Sequence, residues 1–413
     1  MPGYMGTLAA VRGLGSRGVC VTVAGDGLLA PARWSRYTKK FLACPSSREP
    51  AQLIEWLLNF GDRHPGYFLY PTSDDLIWLF AQHEKELRAR FRLYQPAVEP
   101  QLRLLDKKQL YEVCLKARVD TVESWFPNGD DQLQKLAPTL PYPMLLKPRT
   151  QAQLSSWNKG AMAWNRAELV EKYRWCTRRD GYPAEMHRAL GEHLSEPIIQ
   201  RYSERAVDGI YSLAGFVDES CELLGARASV KVLQRPRRIG TGLCFESAKV
   251  IPSVSEAVVR LCKEAGYFGV FEAEFIVEGD RHMLIDFNPR FYGQMEFEHS
   301  RGLPLAYLAL LGAMGEREEM RAVAAEAKLA AQDEGFVYCH HVYFEMLLAL
   351  RRGVGSITAA ERQRWRDWYR AHEGRSVDAS ASTTDPKPGV IHTAAELKGA
   401  LRHPAGFLRS LRE

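Results

Sequence analysis

Length sets the first bound: 413 residues are too many for one ordinary hydrophobic core, so two to four domains or lobes are expected. Hydrophobic residues at 46% and charged residues at 25% place the chain with soluble globular proteins and exclude a disordered one. The net charge of +5 comes from Lys and Arg scattered end to end, which argues against a nucleic-acid footprint and for a surface biased at most toward an anionic ligand. No apolar run reaches the length of a membrane span, and the N-terminus lacks the apolar stretch of a signal peptide. The eight cysteines form no CxxC pair, so they read as small buried hydrophobes in a reduced, cytoplasmic setting.

In chain order, residues 6–17 have a helical pattern and run into the strand pattern GVCVTVA. FLAC, a helix from Pro50 to Phe60 and the strand GYFLY follow, and Ser73 caps a further helix with Asp74 and Asp75 in its first turn. Strands alternating with helices predict a parallel sheet covered on both faces. The first helix begins almost at Met1, so the strand expected ahead of it is absent or very short, which suggests a trimmed N-terminal lobe or a misplaced start codon. Asp106 starts a helix, PMLLKP is a short strand, and Asn165 with Glu168 has capping-box spacing for a helix to about Arg178. Residues 197–250 turn strand-rich, and a helix follows from Ser253 to Ala265. After Gly302 the pattern is mostly helical, with a capping box at Thr358 and Glu361 and a polar loop over 373–389. Cys339-His340-His341 sits in an apolar stretch read as helix, where adjacent histidines diverge, so a structural role is expected. GLGSRG near residue 13 follows a helix pattern instead of a strand, which argues against a dinucleotide loop.

The segment 268–290, which reads GVFEAEFIVEGDRHMLIDFNPR from Gly269, carries the chemistry. Strand alternation puts Glu272 and Glu274 on one face and Phe271, Ala273 and Phe275 on the other. Likewise Asp286 and Asn288 share a face, while Ile285 and Phe287 point away. If Glu274 faces Asp286, then Glu272 faces Asn288, and the arithmetic calls for an odd loop such as Gly279-Asp280-Arg281. A two-residue turn would put Glu274 opposite Ile285. The oxygen-rich face suits a hard divalent cation, which typically takes one or two carboxylates plus phosphate oxygens. Pro289 ends the ladder and turns out Arg290, a guanidinium suited to phosphate oxygens.

These residues resemble a known family. Asp286-Phe-Asn288-Pro-Arg290 resembles the acid-x-Asn-Pro-Arg signature of the ATP-grasp superfamily, and Glu274 matches that family's first metal ligand. Over about residues 6–315 the chain is most similar to carboxylate–amine ligases of the D-aspartate ligase, carbamoyl-phosphate synthase and biotin carboxylase type. The resemblance implies a mixed α/β and α+β fold. It has an N-terminal parallel α/β domain (1–97), a central lobe with a lid (98–199), a C-terminal lobe carrying the metal hairpin (200–316) and a mostly helical extension (317–413). It further implies that Glu274, Asp286 and Asn288 hold Mg²⁺, with two ions expected and Mn²⁺ as a substitute. Lys107 and Lys147 then contact ATP phosphates, Lys231 lies over the γ-phosphate, and Arg290 stabilises the reacting group. Gln200, Arg201 and Ser203 match the hinge that holds adenine, and Asp208 matches the acid that takes the ribose hydroxyls. The loop RPRRIGTG after Lys231 is placed to close over ATP.

The implied activity is ADP-forming ligation of a small-molecule carboxylate to an amine through an acyl phosphate, with no nucleic-acid or membrane partner and a homodimer as the oligomer to consider. A nucleotide-binding regulatory module and a kinase use of the same site are the alternatives. The chain departs from the family in having Asp286 where Glu is usual, Leu233 where a basic residue is usual, and no glycine-rich run after Lys147. Arg235, Arg237 and Arg238 are candidate carboxylate contacts.

Overall fold

Side-chain caps fix several element starts. The Ser73 hydroxyl accepts from Leu76 N at 3.3 Å, Asp106 accepts from Lys108 N at 2.9 Å, and Asn165 accepts from Glu168 N at 3.0 Å. Thr358 and Glu361 form the reciprocal capping box. The structure, a computed structural model, describes residues 3–412 apart from 155–159, 180, 208 and 331–333.

Two sheets dominate, antiparallel throughout except for the parallel last pair of the larger. The smaller has four strands in the order Ser124–Trp125, Ile198–Arg201, Met144–Lys147, Ala161–Ala163. The larger has seven, running Arg281–Asn288, Gly269–Glu278, Ile210–Val217, Leu223–Arg235, Thr241–Ala248, Val337–Cys339 and Ser376–Asp378. Helix Pro252–Ala265 covers one face of the larger sheet, where Val254, Val258 and Leu261 pack with Phe271, Phe275 and Phe287. Period-two alternation then forces Glu272 and Glu274 to the opposite face.

The register of the hairpin is the expected one, with Glu272 opposite Asn288 and Glu274 opposite Asp286. The route to it differs. The turn holds two residues, Gly279 and Asp280, since Glu278 pairs with Arg281, and Gly279 takes φ +60°. A bulge between Glu274 and Phe275 on one strand and Asp286 and Leu284 on the other absorbs the extra residue, Ile285. Ile285 consequently does not point away. It lines the same cavity as Asp286. The neighbouring segment holds the bulge in place: Leu284 N donates to Asp120 O at 2.8 Å, and the Thr121 hydroxyl donates to Leu284 O at 2.9 Å.

Three further expectations are corrected. The single N-terminal parallel sheet is instead two parallel pairs, Val21–Gly25 with Thr38–Ala43 and Phe68–Leu69 with Arg92–Leu93. The stretch around Cys339 is not all helix, because Val337–Cys339 pairs with Thr241–Ala248 and helix His341–Gly353 starts only after it. The polar segment 373–389 contains the strand Ser376–Asp378 and the buried Asp385, which binds the Arg12 guanidinium at 3.0 Å, the Ser35 hydroxyl at 2.7 Å and Arg36 N at 2.8 Å. Sequence periodicity cannot show a short strand whose partner lies about a hundred residues away.

Helix Met5–Gly15 lies close against the chain that leaves the hairpin: a Cβ on Gly6 would stand 2.4 Å from Tyr292 O. Overpacking of this kind costs about 1–3 kcal/mol and outweighs the ~1 kcal/mol of helix propensity that alanine adds. Gly6→Ala should therefore lower the urea midpoint, whereas Gly3→Ala, with open space around it, should not. Asp385→Ala leaves Arg12 buried without its carboxylate and should cost about 3–5 kcal/mol in the same measurement.

Candidate functional site

The two sheets face each other across a cavity of about 660 Å³. From the larger sheet come Glu272, Glu274, Asp286, Asn288 and Lys231, with Arg290 just beyond. From the smaller come Lys147 at the end of its strand and Arg201, followed by Ser203. Lys107 enters from the first turn of helix Lys107–Lys116. Asp106, the N-cap of that helix, is fully buried and bound by Arg149, whose carbonyl accepts from Lys107 N at 2.8 Å. That contact fixes where Lys107 leaves the backbone.

Charge is matched residue by residue. Lys107 Nζ donates to Asp286 Oδ1 at 2.7 Å, and Lys231 Nζ donates to Glu274 Oε1. Asn288 Nδ2 and Gln294 Nε2 donate to the two oxygens of Glu272 at 2.6 and 2.8 Å. Arg290 donates through Nε to Asp74 and through Nη2 to Asn288 Oδ1 at 2.8 Å. Burial works against the charge of Lys107 and Lys231. Asp286 beside the first, and Glu274 and Glu272 beside the second, more than offset it, so both lysine pKa values are raised. Glu272 is 2% exposed, and burial followed by repulsion from Glu274 pushes its carboxyl up to about 7.

One expected residue stands elsewhere. Gln200 is buried with its amide donating to the Ser124 hydroxyl at 3.1 Å, within the small sheet and not in the cavity lining. Asp208 lies outside the described residues. Arg201 lines the cavity while its guanidinium binds Glu278 at 2.9 Å. Of the three loop arginines, Arg238 lines the cavity and stacks on Trp164 at 5.1 Å. Arg235 turns instead to Tyr343 and Ser410 on the C-terminal helices. Leu233 belongs to the core beneath those helices, with Tyr343 and Phe344, which accounts for its apolar character.

Sequence reasoning missed Asp74 and Gln294, which hold Arg290 and Glu272. Asp74 had a visible signal, a carboxylate in a helix first turn, but nothing tied it to position 290. It also missed that the C-terminal segment supplies a wall: Tyr338, His340, His392 and Glu396 line the cavity, with the His340 and His392 rings 4.7 Å apart.

The hairpin oxygens have the chemistry of a Mg²⁺ site. Among the described residues no three carboxylate, His or Cys groups ring a point where a cation would sit. Lysines take an oxygen each from Glu274 and Asp286, so those oxygens are matched to a competing positive charge. The oxygen donors are of the kind such an ion takes, with a lysine competing at Glu274 and at Asp286.

Two facing, mainly antiparallel sheets, the larger with an acid-Asn-Pro-Arg hairpin at its edge, make the ATP-grasp fold, and this chain has it. Solved structures agree on the fold. The biotin carboxylase domain dimer of Hydrogenobacter thermophilus 2-oxoglutarate carboxylase, with MgADP and bicarbonate, superposes at a TM-score of 0.57 with 18% identity over 76% of this chain and 68% of that one. L-amino acid ligase from Bacillus licheniformis gives 0.53 at 13% identity over 74% and 70%. N5-carboxyaminoimidazole synthetase from Staphylococcus aureus, complexed with ADP, gives 0.53 at 13% over 74% of each chain. No family model and no curated protein sequence matches the chain. Among the described residues no helix is long and apolar enough to cross a membrane, and all eight cysteines are free.

Two measurements test the charge matching. Glu274→Ala leaves Lys231 buried without its carboxylate and should cost about 3–5 kcal/mol, while the double change with Lys231→Met should recover much of that. The raised Glu272 pKa favours its protonated form in the fold. Its contribution to stability is therefore full below the ordinary value of 4.5 and is lost as pH rises through about 7. Glu272→Gln should flatten the fall in Tm between those pH values, measured without divalent cations.

Proposed function

We propose that this chain is an ADP-forming carboxylate–amine ligase acting on small, amino-acid-like substrates. The observation that carries the reading is the meeting in one cavity of three lysines and a half-buried arginine with the oxygen face of the hairpin. ATP transfers its γ-phosphoryl group to a substrate carboxylate. An amine nitrogen then bonds to the acyl carbon as the C–O bond to phosphate breaks, releasing phosphate and leaving an amide.

The proposed roles follow the geometry. Lys107, Lys147 and Lys231 receive the phosphates, and drawing Lys107 and Lys231 onto them frees Asp286 and Glu274. Glu274, Asp286 and Asn288 would hold Mg²⁺, or Mn²⁺ in its place. Bound there, the metal neutralises charge on the transferring oxygens. Arg290, aimed by Asp74 and Asn288, stabilises charge on the acyl phosphate. Arg201 and Ser203 flank adenine, and a ribose role for Asp208 rests on the resemblance alone. The wall of His340, His392 and Glu396 faces the substrates.

The lobes are proposed as 1–97, 98–201, 202–316 and 317–413, the boundary expected at 199 being moved past Arg201 because strand Ile198–Arg201 belongs to the smaller sheet. A cytoplasmic setting is proposed on the free thiols. A homodimer is proposed by analogy with the dimeric biotin carboxylase neighbour.

ADP release with pooled amino acids as carboxylates and amines tests the reaction. Amine-dependent ADP formation is expected. Amine-independent transfer would assign a kinase, and ATP binding without turnover a regulatory module. In the active assay Arg290→Ala should lower turnover about 10²-fold or more, the scale of a lost transition-state donor. Unchanged turnover would remove Arg290 from the mechanism.

A further inference from the structure

A second concentration of cations lies where the C-terminal helices meet the strand that carries Lys231. Arg235 ends strand Leu223–Arg235 and Arg237 follows it, Arg351 stands in the last turn of helix His341–Gly353, and Arg364 lies on helix Ala359–Ala371. All four line one cavity of about 150 Å³, whose apolar lining includes the buried Leu233, Leu243, Phe344 and Leu347. One acid, Glu361, also lines it, and an oxygen of that side chain is held in the Thr358 cap at 2.8 and 3.0 Å. Among the described residues none of the four arginines is ion-paired to a carboxylate. Arg235 donates to two neutral hydroxyls, those of Tyr343 and Ser410. The Nε of Arg351 is buried and has no hydrogen-bond partner among the described residues. Burial, then repulsion from Arg237 and Arg235, lowers the pKa of Arg351.

Two ordinary accounts leave most of this charge unexplained. An arginine in a helix's last turn complements the C-terminal dipole, which covers Arg351 alone. Solvation suits the exposed Arg364, whereas Arg235, Arg237 and Arg351 are half-buried beside an apolar lining. Unpaired cations in such a place are costly, and a shared anion offsets the cost. Size and donor geometry narrow the anion. The cavity is well below the roughly 300–1,000 Å³ of pockets that hold drug-sized ligands, so one small charged group fills it. Guanidinium forks match phosphate oxygens in bidentate pairs, and a dianion answers several cations where a single negative charge leaves most of them bare.

We propose that Arg235, Arg237, Arg351 and Arg364 form a binding site for one phosphate-type dianion, either inorganic phosphate or the terminal group of a phosphomonoester. The site adjoins the reaction cavity through the buried Gln234, which lines both and donates to the carbonyls of Arg237 and Arg238 at 3.0 and 3.2 Å. One loop thus presents Arg237 to the anion and Arg238, Ile239 and Gly240 to the reaction cavity. A bound dianion ties that loop to helix His341–Gly353 and steadies one wall of the reaction cavity. This inference is independent of the ligase reading.

The test follows the melting of the full chain against inorganic phosphate, with potassium chloride balancing the ionic strength, for the wild type and Arg351→Met. Methionine keeps an apolar stem and removes the charge. At about 10 mM phosphate the Tm gain of the wild type should exceed that of the variant by about 2 °C or more. Binding at the reaction cavity is common to both proteins and cancels in the difference. Without phosphate, Arg351→Met should melt at the same or a higher temperature, because a repelled cation has been removed. Phosphate should also slow hydrogen exchange at Arg237–Gly240 by about tenfold in the wild type only. Glycerol phosphate separates the two sources: a larger gain than with inorganic phosphate assigns a phosphomonoester, and a smaller one the free ion. Equal phosphate gains in the two proteins, including none in either, would overturn the site. A lower phosphate-free Tm for the variant would give Arg351 a packing role and overturn it as well. Should Arg351→Met not fold, Arg237→Gln carries the same comparison.

Discussion

Concentrating carboxylates on one face of a hairpin is the constraint around which this structure is arranged. Glu272, Glu274 and Asp286 lie within a single hairpin, and burial with repulsion from Glu274 disfavours ionisation of Glu272. The fold answers with cations from separate parts of the chain: Lys107 from a helix start, Lys231 two strands away and Arg290 beyond the hairpin. Each cation is aimed by something else. Asp106 and Arg149 set the helix that carries Lys107, and Asp74 holds Arg290. The site is thus a lattice of opposed charges, with Lys107 on Asp286 and Lys231 on Glu274.

The same balance explains why distant segments matter. Gly6 lets the first helix touch the backbone of Tyr292, two residues past Arg290. Arg12 on that helix grips Asp385 near the far end of the chain, and the C-terminal segment in turn supplies two sheet strands and one wall of the cavity. Stability and site geometry are therefore coupled through packing and not only through the hairpin.

Much of this was legible because it is local. Caps at Ser73, Asp106, Asn165 and Thr358 are read from one to four residues, and apolar alternation on 271–275 decides which face of the strand takes the carboxylates. The pairing of Glu274 with Asp286 was legible for the same reason, since both strands must send their apolar residues to one core. The turn was not. An odd loop and a two-residue turn with a bulge give the same pairing at the site, and only contacts of Leu284 with Asp120 and Thr121 select the second.

By itself the sequence determined the alternation, the caps, the acid-Asn-Pro-Arg hairpin and hence the oxygen face and the fold to which it belongs. Tertiary structure alone decided which cation meets which carboxylate, that Gln200 turns to Ser124, that Asp74 and Gln294 serve the site, and that His340, His392 and Glu396 reach it. The physical reason is range. Periodicity and capping act within a few residues, whereas ion pairs and strand additions join positions tens to hundreds of residues apart, where nothing in the local pattern records the partner.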